Sequence, residues 1–164
     1  MIENLFIGCS TMVVCLVIQC LVVGALLDAL IIMEKRGMIR HSVTGVTSLL
    51  VGVMALMLAG SILQITLWGG LFFACNEFSD FATAFYHSVV NFATLGYGDI
   101  VMSEKRRLLG ALEAANGVLM FGLTTAFLYT ILSDLAERYW DEKTGQDGEC
   151  QGSQQEPANA PVRK

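Results

Sequence analysis

Six consecutive residues, Thr94-Leu95-Gly96-Tyr97-Gly98-Asp99, form the pattern in this sequence most able to do chemistry. That chemistry belongs to the backbone. To strip water from a cation, several successive carbonyl oxygens must point the same way, whereas an ordinary strand alternates them. Left-handed φ values at alternating positions turn them all inward, and Gly96 and Gly98 take such values at little cost. The Thr94 hydroxyl adds one more oxygen at the inner end. Leu95 and Tyr97 then point away from the axis and wedge the strand against the helix that precedes it. Four copies around one axis would stack cages of oxygens able to replace a hydration shell. The plainer alternative is a chance glycine-rich turn.

Such a segment needs elements to hold it. Ser79 and Asp80 make an N-cap for a short apolar helix over 81–93. At about 20 Å it is too short to cross a bilayer, and it runs directly into 94–99. This is a re-entrant helix and loop, tolerated at membrane depth only if buried in protein or lining a water-filled path. The C-terminal, partly negative end of that helix favours a cation at the pore centre. A spanning run, 108–133, follows, with Glu113 and Asn116 inside it. Before it lies an uncharged run, 43–73, whose Gly45, Gly52 and Gly60 share one helix face and could admit close packing. A first apolar run, 5–33, is broken only by Gln19 and Asp28, and at about 40 Å it also spans. The expected fold is an all-α integral membrane protein: three transmembrane helices plus a re-entrant pore helix and filter loop per subunit, assembled as a four-fold pore.

Composition agrees. Of 164 residues, 54% are hydrophobic and only 15% charged, against roughly a quarter charged in soluble domains. The charges clump at 34–41, at 104–107 and beyond Asp134. Much of the net charge of −5 comes from 134–164, read as a hydrophilic cytoplasmic tail whose stretch 144–164 is disordered. The expected division is thus 1–42, a peripheral helix with its cytoplasmic loop; 43–133, the pore domain; and 134–164, the tail. No basic stripe with aromatics suits nucleic acid. Gly-x-Ser-x-Gly, His-Glu-x-x-His and paired intramembrane histidines are absent, so no enzyme chemistry is expected. Cys9, Cys15 and Cys20 read as small buried hydrophobes, Cys75 as a residue that could join subunits, and Cys150 as a free thiol. The start, Met-Ile-Glu-Asn, lacks the basic region of a signal peptide.

Residues 85–99, Phe-Tyr-His-Ser-Val-Val-Asn-Phe-Ala-Thr-Leu-Gly-Tyr-Gly-Asp, resemble the pore helix and filter of tetrameric potassium channels. Asn116-Gly117-Val118-Leu119-Met120-Phe121-Gly122-Leu123 resembles the inner helix of their prokaryotic members. The resemblance implies that Thr94, Leu95, Gly96 and Tyr97 offer backbone oxygens to potassium ions and that Gly98 completes the strand. It implies that Tyr86 tethers Asp99 at the outer mouth and that the inner helix bends at Gly117. The permeant ion is the only ligand implied; no cofactor or organic substrate is. One filter strand per chain calls for a homotetramer in a lipid bilayer.

This sequence departs from the family pattern in places. Tyr86-His87 stands where many relatives have a tryptophan pair, Ala93 where a second threonine is usual, and Val90 where some place a carboxylate. Leu95 replaces the commoner valine. These changes bear on rigidity and inactivation, since none removes a coordinating oxygen. Glu113 either bonds behind the filter in place of that carboxylate or packs between helices in protonated form. Asn116 faces a neighbouring helix or the cavity, and His87 is a packed residue rather than a pH sensor. Asp28 reaches the interface or pairs with Arg36. Val118, Phe121 and Thr125 recur at helical spacing as cavity lining, and Phe121 or Tyr129 could narrow the pore by dewetting.

If the filter opens outward, the N-terminus is outside and the C-terminus cytoplasmic. Lys35, Arg36 and Arg40 agree with that orientation, while Lys105, Arg106 and Arg107 disagree. The compact design suggests the plasma membrane of a prokaryote. The first helix has no arginine at every third position, so no voltage sensor is visible. Two other readings remain: a weakly selective cation channel, or a non-conducting membrane subunit or scaffold.

Overall fold

A computed structural model describes residues 2–35 and 43–152. The polar turn with Arg36 and Arg40, and the tail from 153 on, lie outside the described residues, and with them the Asp28–Arg36 pairing. Four helices follow in order: α1 (Ile2–Lys35), α2 (Val43–Ala74), α3 (Phe81–Phe92) and α4 (Arg107–Gly152). Among the described residues, α1, α2 and the first part of α4 are long and apolar enough to cross a membrane. The chain divides into two units, Met1–Ala126 and Phe127–Lys164. The second holds the remainder of α4. The first holds the side-chain contacts described below.

Each long helix shows one buried stripe at helical spacing. On α1 it runs through Asn4, Gly8, Cys15, Gln19 and Leu26; on α2 through Val53, Met57, Gly60, Gln64, Trp68 and Phe72; on α4 through Leu109, Glu113, Asn116 and Met120. The buried faces are thus rich in polar and small residues. Valines and leucines such as Val13, Val17, Leu21, Leu58 and Leu63 face outward. This is the reverse of a soluble helix, and it is what a lipid solvent asks for: outward leucines lose nothing there, while polar groups need protein partners.

α1 is bound to α2 by such groups. Gln64 Nε2 donates to Gln19 Oε1 at 2.9 Å, and Gln19 Nε2 reaches the Met57 sulfur at 3.4 Å. Gly60 lets Val22 come close: an added Cβ would stand 3.3 Å from its methyl carbon. At the other end Asn4 Nδ2 donates to the Lys105 carbonyl, and a Cβ on Gly8 would strike Leu112. Cys15 joins Trp68, Phe72, Ala84 and Leu109 in the core. The first helix is therefore packed against the rest of the unit through its polar and small residues.

α2 ends in a Schellman motif. Asn76 takes φ 55, its N–H bonds to Phe73 O at 2.9 Å, and the Glu77 N–H bonds to Phe72 O at 3.2 Å. Asparagine tolerates this left-handed position. Asp80 then caps α3, accepting from the Thr83 N–H at 2.8 Å and from its hydroxyl at 2.7 Å. Those bonds hold its carboxyl below the usual carboxylate range.

Some expectations need correction. α3 closes at Phe92, with Ala93 as its C-cap. α4 does not stop near 133 but continues helical through Gly152, so part of the stretch read as a disordered tail is helix. Leu135-Ala136-Glu137-Arg138 are strong helix formers, and extending a helix costs far less than starting one. Of the glycine stripe on α2, Gly60 meets a neighbouring helix while Gly52 faces open space. Only Cys15 of the three α1 cysteines is buried; Cys9 and Cys20 are exposed.

The glutamine pair gives a double-mutant prediction. Replacing Gln19 or Gln64 alone by Leu leaves the other amide buried without a partner, at a cost of about 1–3 kcal/mol. The double Leu variant should be more stable than either single one, read as thermal unfolding in mild detergent. Additive losses would count against the pair.

Candidate functional site

The 94–98 segment begins as the end of α3. The Thr94 N–H bonds to Asn91 O at 2.8 Å and the Leu95 N–H to Val90 O at 2.9 Å, a second Schellman motif with Thr94 at the left-handed position. Thr94 has φ 57, rare for a β-branched residue and worth about 1–3 kcal/mol of strain. Gly96 follows at φ 58 and Gly98 at φ 73, while Leu95 and Tyr97 have negative φ. Left-handed and ordinary residues therefore alternate from 94 to 98. Such an alternation is what turning successive carbonyls toward one side of a chain would require. Residues 95–98 belong to no helix and no β-sheet.

Behind it, α3 is clasped by its neighbours. Ser88 Oγ donates to the Ile65 carbonyl of α2 at 2.8 Å and is also hydrogen-bonded to the Glu113 carboxyl of α4. Asn91 Nδ2 meets His87 Nε2 at 2.9 Å, and the rings of Phe72 and Phe78 stand against that imidazole. Gly117 has a steric role: a Cβ there would lie 2.0 Å from the Phe92 carbonyl oxygen. One at Gly110 would lie 2.9 Å from Asn91 Nδ2, and one at Gly69 3.1 Å from the Phe85 Cα. On α2 and α4, Trp68 Nε1, both amide atoms of Asn116 and Glu113 Oε2 are buried without a hydrogen-bond partner.

At the other end of the segment, the Tyr86 hydroxyl donates to Asp99 Oδ2 at 2.8 Å. This bond holds the Asp99 carboxyl below its ordinary range and pushes the Tyr86 phenol above its own. Next to it, Glu77 accepts from the Ser103 N–H and hydroxyl, both at 2.9 Å, and lies 3.4 Å from Arg106 Nε. Arg106 thus has an acidic partner on the side where its charge ran against the expected orientation. Among the described residues, no cluster of His, Cys, Asp and Glu could hold a metal ion on side chains.

The residues singled out from sequence fall into two groups. Tyr86 and Asp99 are brought into contact with each other, and Glu113 with Ser88, which the sequence did not single out. Val118, Phe121 and Thr125 instead lie exposed along α4, Phe121 with its ring 5.8 Å edge-on from Phe92. Leu95 (52% exposed) and Tyr97 (66% exposed) are not wedged against their own α3, contrary to expectation. Within one chain each leaves at least half of its surface open. Asn116 is fully buried beside the Cys15 thiol of α1.

Sequence reasoning missed Ser88, Asn91, Glu77, Gly69, Gly110 and the third left-handed position at Thr94. Ser88 was in principle readable, since a small hydroxyl one turn after Ala84 marks a closely packed face of α3.

Residues 60–134 match the model of a family described as Ion channel. The match takes in the second half of α2, all of α3, the 94–99 segment and the apolar part of α4. It supports an ion channel of the pore-loop type carried by a multi-pass membrane protein. No curated protein and no solved structure matches the chain.

Two tests follow from this geometry. Gly117→Ala should lower thermal stability in detergent by about 1–3 kcal/mol, the cost of overpacking against rigid backbone; unchanged stability would show that the contact with Phe92 yields freely. The Tyr86–Asp99 bond has a definite pH window. Asp99, with its lowered value, contributes stability above the ordinary carboxylate range and loses it as pH falls through that lowered value. Tyr86, with its raised value, contributes below the ordinary phenol range and loses it as pH rises through the raised one. Tyr86→Phe should bring the Asp99 titration, followed by NMR, back up toward an ordinary carboxylate; an unmoved titration would dismiss the tether.

Proposed function

We propose that this chain is the subunit of a potassium-selective channel, in which the 94–98 segments of four copies surround one axis and conduct dehydrated potassium ions on their backbone oxygens. The alternation of left-handed backbone at Thr94, Gly96 and Gly98 carries this reading. A threonine held in a costly conformation, in register with two glycines, is explained by the need for carbonyls on one side. The Thr94 hydroxyl continues the column of oxygens. The ion-channel match over 60–134 supports the class of function, while selectivity for potassium rests on the segment itself.

What one chain leaves bare supports an assembly of copies. Leu95, Tyr97, Val118 and Phe121 are exposed, and a single strand supplies only one quarter of a cage. Four copies would cover Leu95 and Tyr97 and turn Val118, Phe121 and Thr125 toward a shared cavity. The bond from Asn4 to the Lys105 carbonyl puts the start of α1 on the same side as the loop after Asp99. A filter that opens outward would therefore place the N-terminus outside the membrane, in the reading of a prokaryotic plasma-membrane channel that uses no cofactor and no organic substrate.

The test is ion flux through liposomes holding the purified protein, with sodium as comparison, barium as blocker and Gly96→Asp as control. Potassium flux should exceed sodium flux, be blocked by barium and vanish in the variant. Equal sodium flux would replace this reading by a weakly selective cation channel. A monomer or dimer in gentle detergent would favour the non-conducting subunit.

A further inference from the structure

We propose that Glu113 carries a proton and acts as a positioning residue, donating from its carboxyl to Ser88, so that one directed chain of hydrogen bonds ties α4 to α3 and α3 to α2. The observation is a proton count. Ser88 Oγ lies 2.8 Å from the Ile65 carbonyl oxygen and is also in hydrogen-bond contact with Glu113 Oε1. A carbonyl oxygen only accepts, an ionised carboxylate only accepts, and a serine has one proton. If Ser88 spent its proton on Glu113, its oxygen would face that of Ile65 lone pair to lone pair. If it spends the proton on Ile65, Ser88 can still accept, and the carboxyl must supply the second proton. Only the acid form of Glu113 satisfies both contacts.

The surroundings point the same way. Glu113 is completely buried, in a segment read as crossing the membrane. An ionised carboxylate there needs a cation beside it, and among the described residues the groups that face it are neutral. Ser88 and Asn91 come from α3, and the Cys15 thiol from α1. Trp68 of α2 lies beside the same thiol, as does Asn116 of α4 itself. His87 reaches the carboxyl only by way of Asn91. The neutral acid is also a better joint than an ion, because its O–H has a direction. It sets Ser88, Ser88 sets its distance from Ile65, and α3 is held from both sides six residues before Thr94. That this steadies a filter rests on the channel reading; the proton itself does not.

Infrared spectroscopy of the protein reconstituted in liposomes at neutral pH tests the proposal without any ion flux. The expected spectrum contains a protonated-carboxyl C=O absorption that moves on carboxyl-13C labelling of glutamate and is absent from Glu113→Gln. Labelled wild-type protein showing only carboxylate absorptions would overturn the assignment, and this arm needs no variant to fold. A second arm reads position. Gln can still donate from its amide, so Glu113→Gln should keep the thermal stability and the potassium-to-sodium flux ratio of the wild type, whereas Glu113→Ala should lose both. Equal losses in the two variants would overturn the donor role.

Discussion

Hydrocarbon tails are as apolar as leucine, so within a bilayer the apolar surface of a helix has no reason to prefer another helix to lipid. What holds helices together there is close approach of backbones and the pairing of polar groups that lipid cannot satisfy. The first unit of this chain is built on that constraint. Gly8, Gly60, Gly69, Gly110 and Gly117 stand where other residues press in. Gln19 with Gln64, and Ser88 with Glu113, are polar pairs inside stretches otherwise made of apolar residues. Removing these groups would leave three hydrophobic helices with little to choose their partners or their depth.

The element that gains most is the shortest. A helix of 12 residues is marginal by itself, and α3 must also end in a conformation that threonine resists. It is held at Phe85 by Gly69 of α2, at Ser88 by Ile65 and Glu113, at Asn91 by Gly110, and at Phe92 by Gly117. These contacts follow one another along α3 up to Phe92, two residues before Thr94. The strain at Thr94 is therefore borne by a helix fixed on two sides. At the far end of the segment a single bond, from Tyr86 to Asp99, returns to the same helix. The 94–98 stretch is tied at both ends to α3 and is otherwise bare within one chain.

How much of this could be read from the residues depends on the range of the interaction. Three apolar runs and a short capped helix were legible, because hydropathy and the Asp80 cap are local properties. Gly96 and Gly98 were legible as left-handed positions, because glycine advertises that freedom. Thr94 was not, since its conformation is imposed by the C-terminal motif of α3 and by contacts far away in sequence. The depth of Glu113 could be read from its spacing in the run, but its facing could not: that depends on the rotation of α4, which is settled by Gly110 and Gly117 meeting α3. The buried face of α1 was hidden for a similar reason. Asn4, Gly8, Cys15 and Gln19 do not stand out as one face until their partners at Lys105, Leu112, Trp68 and Gln64 are known.

Gly117 shows why residue type alone underdetermines a role. A glycine inside a spanning helix suggests a place to bend, because it weakens the helix locally. The approach of the Phe92 carbonyl oxygen demands glycine for a different reason, whether or not the helix ever bends. The two demands are not independent. A bend at Gly117 would have to carry α4 past the last turn of α3, and that turn feeds directly into Thr94. Displacement of α4 at this level would reach the 94–98 segment through Phe92, and again through Glu113 one turn earlier by way of Ser88. In this fold a movement of α4 at Gly117 and the geometry of the 94–98 segment are mechanically one problem, because the same few atoms lie between them.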